Sequence, residues 1–269
     1  MIAIIDGDVL CFRACKNRDY AEAKRTGFQV VNLDEDGLRD RSKYTQDDDI
    51  EYAMECYESM EKDLEELLET VYATDYVMAV KGEGNYRDHM YPEYKATRSR
   101  DHVKSNVVVP RLRKIAVSRG KAIAAHGMEA DDLLRIWAEQ CKQHEQEYVI
   151  CSIDKDLLCI PGKHYRMHNH NFVNISEAES RKLYYIQLLM GDATDNIKGL
   201  PGIGPVKAEK MVSECKTEAE YQEVVVSNYI MYFGDDWRDQ LLFNGKLIHI
   251  MRHYDDYFTF ADWPITREL

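Results

Sequence analysis

Carboxylates recur in this 269-residue chain where strands should end and helices begin. Asp6 closes the apolar run Ile2–Ile5, and Glu129, Asp131 and Asp132 stand together at a helix start. Asp154 and Asp156 follow the apolar run from Tyr148, and Asp192 and Asp195 lie in a loop behind a further helix. Brought to one edge of a parallel sheet, where open α/β folds place their ligands, these groups would repel one another strongly without cations. Carboxylate oxygens with no His or Cys among them select hard ions, Mg²⁺ or Mn²⁺ over Zn²⁺. Two such ions suit phosphoryl chemistry with water as the nucleophile. Each acid also has a plainer reading: Asp6 and Asp154 as strand-end turn residues, Glu129 and Asp131 as complements to a helix N-terminus, Asp192 and Asp195 as loop caps. The recurrence of all of them in such contexts favours the metal reading.

A second group of residues could hold phosphate. Gly199-Leu200-Pro201-Gly202-Ile203-Gly204 enters a helix at Pro205, which leaves backbone N–H groups free to approach an anion, with Lys207 adding charge on the first turn. A tight helix–helix turn needs glycine too, so the motif gains weight from Asp192 and Asp195 just upstream. From Lys95 to Lys121 there are nine basic residues, Arg98, Arg111, Arg113 and Lys114 among them, and one acid, Asp101. The chain as a whole carries a formal charge of −13. A basic stripe on an acidic body suits a protein that grips a polyanion at one face, and a solvated surface helix is the bland alternative.

The elements that must position these groups follow from periodicity. Ile2–Ile5, Tyr76–Val80, Ala122–Ala125, Tyr148–Ile153 and Tyr165–His168 read as strands. Asp47–Val71 has the spacing of a long amphipathic helix, Pro110 is placed to open a helix through Ser118, and Glu129–Cys141 is helical. Strands alternating with helices imply a mostly parallel sheet covered on both faces. Beyond residue 176 the strand signal ends. Glu177–Met190 reads as helix, Gly191–Gly204 as loop, and Pro205–Ser213, Tyr221–Tyr232 and Asp236–Tyr254 as helices. The expected division is an α/β body over residues 1–176 and a helical part over residues 177–269.

Composition narrows the class. Mean hydropathy is −0.52, and no apolar run approaches the roughly 18 residues of a membrane span. The N-terminal residues show neither a basic region nor a cleavage site, so no signal peptide is expected. Seven scattered cysteines form no CxxC pair, which points to neither a zinc knuckle nor a disulfide framework.

Five stretches, in order, resemble the 5′-nuclease (flap endonuclease) superfamily, of the phage 5′–3′ exonuclease type and similar to the 5′-nuclease domain of bacterial DNA polymerase I. They are Ile4-Ile5-Asp6-Gly7, Tyr91-Pro92-Glu93-Tyr94-Lys95-Ala96-Thr97-Arg98, Gly127-Met128-Glu129-Ala130-Asp131-Asp132, Ser152-Ile153-Asp154-Lys155-Asp156-Leu157, and Gly191-Asp192-Ala193-Thr194-Asp195-Asn196-Ile197 through Gly204. The resemblance implies a PIN-like or resolvase-like α/β fold with a helical arch at about residues 84–118. It also implies a C-terminal helix–three-turn–helix at about residues 186–215. Carried over by position, Asp6, Glu129 and Asp131 match first-metal ligands. Asp154, Asp156, Asp192 and Asp195 match the second-metal cluster, with Asp132 near both. Arg87, Tyr94, Lys95 and Arg98 match residues that steer the scissile phosphate. Gly202, Gly204 and Lys207 match the duplex-phosphate contact, where the family often holds K⁺, and Arg111, Arg113 and Lys114 are expected along the strand backbone.

One position departs from the pattern. The family's second strand ends in an aspartate ligand shortly before a pair matched here by Tyr86-Arg87, and that register falls on Val80. Either Glu83, flanked by glycines, reaches back to the metal, or one ligand is absent. The expected function is a Mg²⁺-dependent (or Mn²⁺-dependent) structure-specific 5′–3′ exonuclease and flap endonuclease of DNA replication with two metal ions. It would be a monomer, away from membranes, in the cytoplasm of a bacterial or phage-infected cell. Its substrates would be DNA with a free 5′ end, flap or nick, with RNA–DNA hybrids in addition. The alternatives are a branched-DNA-binding protein with an impaired active site, and an acidic-cluster ribonuclease, which fits the Gly202–Gly204 motif poorly.

Overall fold

The computed structural model describes residues 1–15, 46–96 and 108–267. Two compact units emerge, and the chain passes between them repeatedly. One comprises residues 1–85, 99–153 and 165–172; the other comprises 86–98, 154–164 and 173–269. Arg98, Lys104 and the centre of the expected arch lie outside the described residues.

The first unit is built on parallel strands. β1 (Ile2–Asp6) pairs on one side with β2 (Asp75–Lys81) and on the other with β4 (Tyr148–Ser152), and β2 pairs with β3 (Ile123–Ala125). With β5 (Gly162–Arg166) and β6 (Asn171–Ile175) the order is β3-β2-β1-β4-β5-β6. Ala3, Ile4 and Ile5 are fully buried, the near-continuous apolar run that a strand covered on both faces requires. Gly7 then starts a helix, α1, described over residues 7–15. A Cβ on Gly7 would lie 2.6 Å from the Met78 side chain and 2.8 Å from the Ala79 carbonyl. Only glycine lets the chain turn this closely over β2.

Helix α2 (Gln46–Val71) buries Tyr52, Cys56, Tyr57, Met60, Leu64, Leu67 and Val71, the three-four spacing of one helix face. Helix α4 (Val108–Ser118) buries Val108, Val109, Leu112 and Ala116 in the same core. Helix α5 (Ala130–Gln143) covers the helix expected over Glu129–Cys141, with Glu129 as its N-cap instead of its first residue.

In the second unit, α3 (Tyr86–Met90) and a 3₁₀ turn (Asp156–Cys159) belong with the C-terminal helices. Those are α6 (Glu177–Met190), α7 (Pro205–Met211), α8 (Glu218–Phe233) and α9 (Trp237–Ile248). Ser176 and Thr217 cap α6 and α8 by accepting N–H bonds from Glu179 and Glu220, worth about 1 kcal/mol each. The core is aromatic, with Tyr185 stacked on Tyr221 at 5.0 Å and leaning on Trp263.

Several sequence readings need correction: the helix expected over Asp236–Tyr254 is α9 and ends at Ile248, and the strand expected over Tyr165–His168 is β5, which runs from Gly162 to Arg166. Residues 191–204 are not all loop, because β7 (Gly191–Asp192) and β8 (Ile197–Lys198) form a two-residue antiparallel pair. β6 was unexpected: its first four residues are exposed, so an edge strand of Asn, Phe and Val carries no burial alternation to read. Among the described residues no helix is long and apolar enough to cross a membrane. The seven cysteines are free, and six of them are buried.

Candidate active site

In the first unit Asp6 stands at the C-terminal end of β1 and is 8% exposed. Its Oδ2 accepts a hydrogen bond from Ser152 Oγ, at the end of β4, at 2.8 Å. Glu129 is the N-cap of α5 and accepts from Asn85 Nδ2 at 3.3 Å. Asp132, fully buried, accepts the Glu129 N–H at 2.9 Å, so part of its capacity goes into starting the helix that presents Glu129 and Asp131. Asn85 carries no motif in the sequence, and Ser152, the first residue of the stretch that ends at Leu157, was given no role there; both roles are found only by their contacts.

In the second unit Asp154 Oδ1 accepts the Asp156 N–H at 2.8 Å, and Gln187 Nε2 from α6 donates to Asp156 Oδ1 at 2.8 Å. Burial, with the carboxylates of Asp154 and Asp192 beside it, pushes the Asp156 carboxyl up to about 7. Asp192, at the end of β7, accepts the Thr194 N–H at 2.7 Å and the Asp195 N–H at 3.4 Å, closing the turn that follows. Among the described residues no group of three or more His, Cys, Asp or Glu is gathered closely enough to hold a metal as a finished cage. Asp154 and Asp192 instead crowd the Asp156 carboxyl, a repulsion of the kind that a hard cation would relieve.

Lys95 sits across the turn. Its N–H donates to the Asp195 carbonyl at 2.9 Å, and its ammonium lies 3.6 Å from Asp195 Oδ2 and 4.8 Å from the Tyr94 ring centre. The Tyr94 hydroxyl donates to the same carboxylate at 3.1 Å. Asp195, expected as a metal ligand, therefore already serves a tyrosine and a lysine.

Two expected contact residues, Arg87 and Arg113, are placed differently from the sequence reading. Arg87 is 2% exposed and donates to the carbonyls of Leu247 and His249, closing the C-terminal end of α9, with Tyr86 donating to Lys246 O at 2.8 Å. Its charge is spent on helix carbonyls, which the sequence could not indicate. Arg113 is paired with Asp8 at 2.7 Å, anchoring α4 to the segment after β1 instead of facing outward. Asp8, which also accepts the Lys81 N–H, holds a scaffold role that sequence reasoning missed. Lys114 is exposed on α4 and Arg111 half-buried. Val80 is fully buried in the apolar core, and Glu83 is exposed, its backbone carbonyl accepting the Gly127 N–H at 2.8 Å. Gly202 and Gly204 are exposed ahead of α7, and Lys207 Nζ donates to Gly202 O at 2.9 Å.

A mostly parallel sheet with flanking helices and strand-end carboxylates defines a resolvase-like nuclease fold. Residues 1–185 match the family described as 5′–3′ exonuclease, N-terminal resolvase-like domain, and the chain belongs to that family. Among curated relatives, the 5′–3′ exonuclease of Mycoplasma pneumoniae is 29% identical over 148 residues, 49% of this chain and 50% of that protein. The 5′–3′ exonuclease of Buchnera aphidicola from Schizaphis graminum is 34% identical over 135 residues, 45% of each. DNA polymerase I of Rhizobium leguminosarum is 28% identical over 142 residues, 48% of this chain and 14% of that one. The matches thus span about half of the shorter relatives and a small part of the polymerase. Among solved structures, a phage T5 protein co-crystallised with metal ions superposes with a TM-score of 0.56 at 16% identity, covering 92% of this chain and 93% of that one. The bacteriophage T5 flap endonuclease, in a pseudo-enzyme–product complex with DNA and metal ions, gives 0.54 at 16% identity, covering 92% and 93%. At that identity the likeness concerns the fold.

Proposed function

We propose that this chain is a divalent-metal-dependent, structure-specific 5′–3′ exonuclease and flap endonuclease that hydrolyses phosphodiesters of DNA, and of RNA primers on DNA, during replication. The observation that carries the reading is the turn over residues 192–196. Asp192 at its start crowds Asp156, and Asp195 near its end holds Lys95. One short segment thereby presents an oxygen-only donor set and a cation suited to phosphate.

The donors fit Mg²⁺ or Mn²⁺, since no thiolate or imidazole is among them. Asp6, Glu129 and Asp131, supported by Asp132, would hold one ion; Asp154, Asp156 and Asp192 would hold the other. Such ions, when bound, supply Lewis acidity to a phosphate oxygen and to the attacking water. The chain's own residues do the rest. Lys95 offsets negative charge developing on the phosphate, and Tyr94 fixes the carboxylate that anchors Lys95. Gly202, Gly204 and Lys207 take duplex phosphate, and Arg111 and Lys114 line the path of the strand. Potassium fits less well, because the Gly202 carbonyl already accepts a lysine ammonium.

Val80 favours a second reading, a branched-DNA-binding protein with an impaired site, because an apolar side chain in the core stands where the family's strand-end aspartate is expected. One experiment decides between them. A 5′-labelled nicked duplex, a flap and an RNA–DNA hybrid are digested with Mg²⁺, with Mn²⁺ and with EDTA. Metal-dependent release of short 5′ products supports the nuclease; tight flap binding without cleavage in either metal supports the second reading.

A further inference from the structure

Asn196 has no role in the chemistry so far, yet it ties together the parts that have one. It ends the turn that begins at Asp192 and sits at φ +59°, a conformation asparagine tolerates better than most residues. Its Nδ2 donates to the Tyr91 hydroxyl at 3.2 Å and to the Glu93 carbonyl at 3.0 Å. The Tyr94 N–H donates back to the Tyr91 carbonyl at 2.9 Å, so the amide grips a tight turn immediately before Lys95. Lys95 itself is at φ +56°, which is costly for a lysine and persists only when its surroundings impose it. Two restraints do so: the Asn196 amide holds the turn from one side, and the Asp195 carbonyl takes the Lys95 N–H from the other.

We infer that Asn196 is a positioning residue: its amide clasps the Tyr91–Glu93 turn and so sets the Lys95 ammonium beside the Asp195 carboxylate. Without the clasp the turn relaxes, Lys95 leaves the left-handed conformation, and its ammonium loses the fixed position from which it meets phosphate. The effect belongs to the chemical step, since a displaced catalytic group costs rate far more than it costs overall affinity for a long charged ligand. This inference rests on the nuclease reading for its kinetic consequence but not for its structural one.

The test compares wild type with Asn196→Gly, Lys95→Ala and the double variant. Glycine keeps the positive φ and removes only the amide, and Asn196→Asp, which retains the shape but donates nothing, serves if the glycine variant fails to fold. Single-turnover cleavage of a 5′ flap in Mg²⁺ should fall about tenfold in Asn196→Gly, the loss expected for a pair of neutral hydrogen bonds. Flap affinity in EDTA should stay within about twofold, because no phosphate contact is removed. In the Lys95→Ala background the same change should add less than about twofold, because a residue acting through Lys95 has nothing left to act on. Amide exchange at Lys95 should rise by about tenfold or more in Asn196→Gly whether or not the protein cleaves DNA. Wild-type exchange at Lys95, or fully additive rate losses in the double variant, overturns the inference. A wild type that never cleaves overturns the nuclease reading alone, and the exchange measurement then decides the clasp.

Discussion

The proposed function gives lysine two different jobs in this chain, and single substitutions separate them. Lys95 stands over a carboxylate within the turn that carries Asp192, whereas Lys207 lies exposed beside Gly202 at the start of α7. Lys95→Ala should therefore slow single-turnover cleavage by a hundredfold or so while duplex affinity barely changes. Lys207→Ala should do the reverse, weakening binding and lowering the slope of log affinity against log salt by about one. Equal effects of both changes on rate and affinity would remove the division. On the proposed reading, Asp154→Ala and Asp192→Ala abolish Mg²⁺-dependent cleavage and leave flap affinity equal or tighter, because each removes a proposed cation donor and a charge that repels phosphate. Glu83 is the sharper case. Its carboxylate is exposed on a loop tied through its backbone to Gly127. If it stands in for the missing strand-end aspartate, Glu83→Gln raises the Mg²⁺ concentration at half-maximal rate; a superimposable titration shows that the first ion has one ligand fewer.

At the scale of elements, the connection from α6 to α7 is held by backbone packed on backbone. A Cβ on Gly199 would lie 2.1 Å from the Met190 carbonyl carbon and 2.3 Å from the Gly191 nitrogen. No side chain can rotate away to make room. Gly199→Ala should therefore cost on the order of 2–3 kcal/mol, read from the urea midpoint, and should weaken duplex binding by displacing Gly202 and Gly204. Wild-type stability and binding in that variant would mean that the β7–β8 pair shifts freely. Arg87 shows the same principle with side chains. By closing the end of α9 it anchors α3, and the Tyr91–Lys95 turn follows directly. The residue expected to meet phosphate instead sets where the segment that carries Lys95 begins.

Across the molecule, acid stability should depend on Asp256. It is 8% exposed, and burial alone would raise its carboxyl. Hydrogen bonds from His249 at 3.0 Å and from Arg252 at 2.8 and 2.9 Å outweigh that and hold it well below the usual carboxylate range. A carboxyl with a lower pKa folded than unfolded stabilises the fold fully above its unfolded value, near 3.9, and loses that contribution as pH falls towards the folded value. The melting temperature should thus drop steeply below pH of about 4. Asp256→Asn should cost roughly 2–3 kcal/mol at pH 7 and flatten the acid limb, which thermal melts from pH 7 to pH 2.5 would measure. An acid limb of unchanged steepness in Asp256→Asn assigns the loss to other carboxylates.

Much of this was legible without coordinates, because the signals are local. The apolar run of β1 ending at Asp6, the face of α2, the start of α5 after Glu129 and the span Glu177–Met190 are each set by neighbours within about four residues, through strand and helix periods and caps. The acids were legible too, since their types and their places at element ends are written in the chain. Which of them crowd a neighbouring carboxylate, and which are answered by a lysine, was not. Tyr94 reaches Asp195 across 101 residues, Arg87 reaches Leu247 across 160, and Arg113 reaches Asp8 across 105. A long polar side chain chooses its partner by what the fold brings within 3 Å, and nothing in its own neighbourhood encodes that choice. The sequence by itself determined the elements and the oxygen-rich chemistry at their ends. Only the tertiary structure decided that Arg87 and Arg113 hold the scaffold, that Asp195 answers Lys95, and that Asn196 clasps the turn before it, because those assignments depend on distant segments meeting in space.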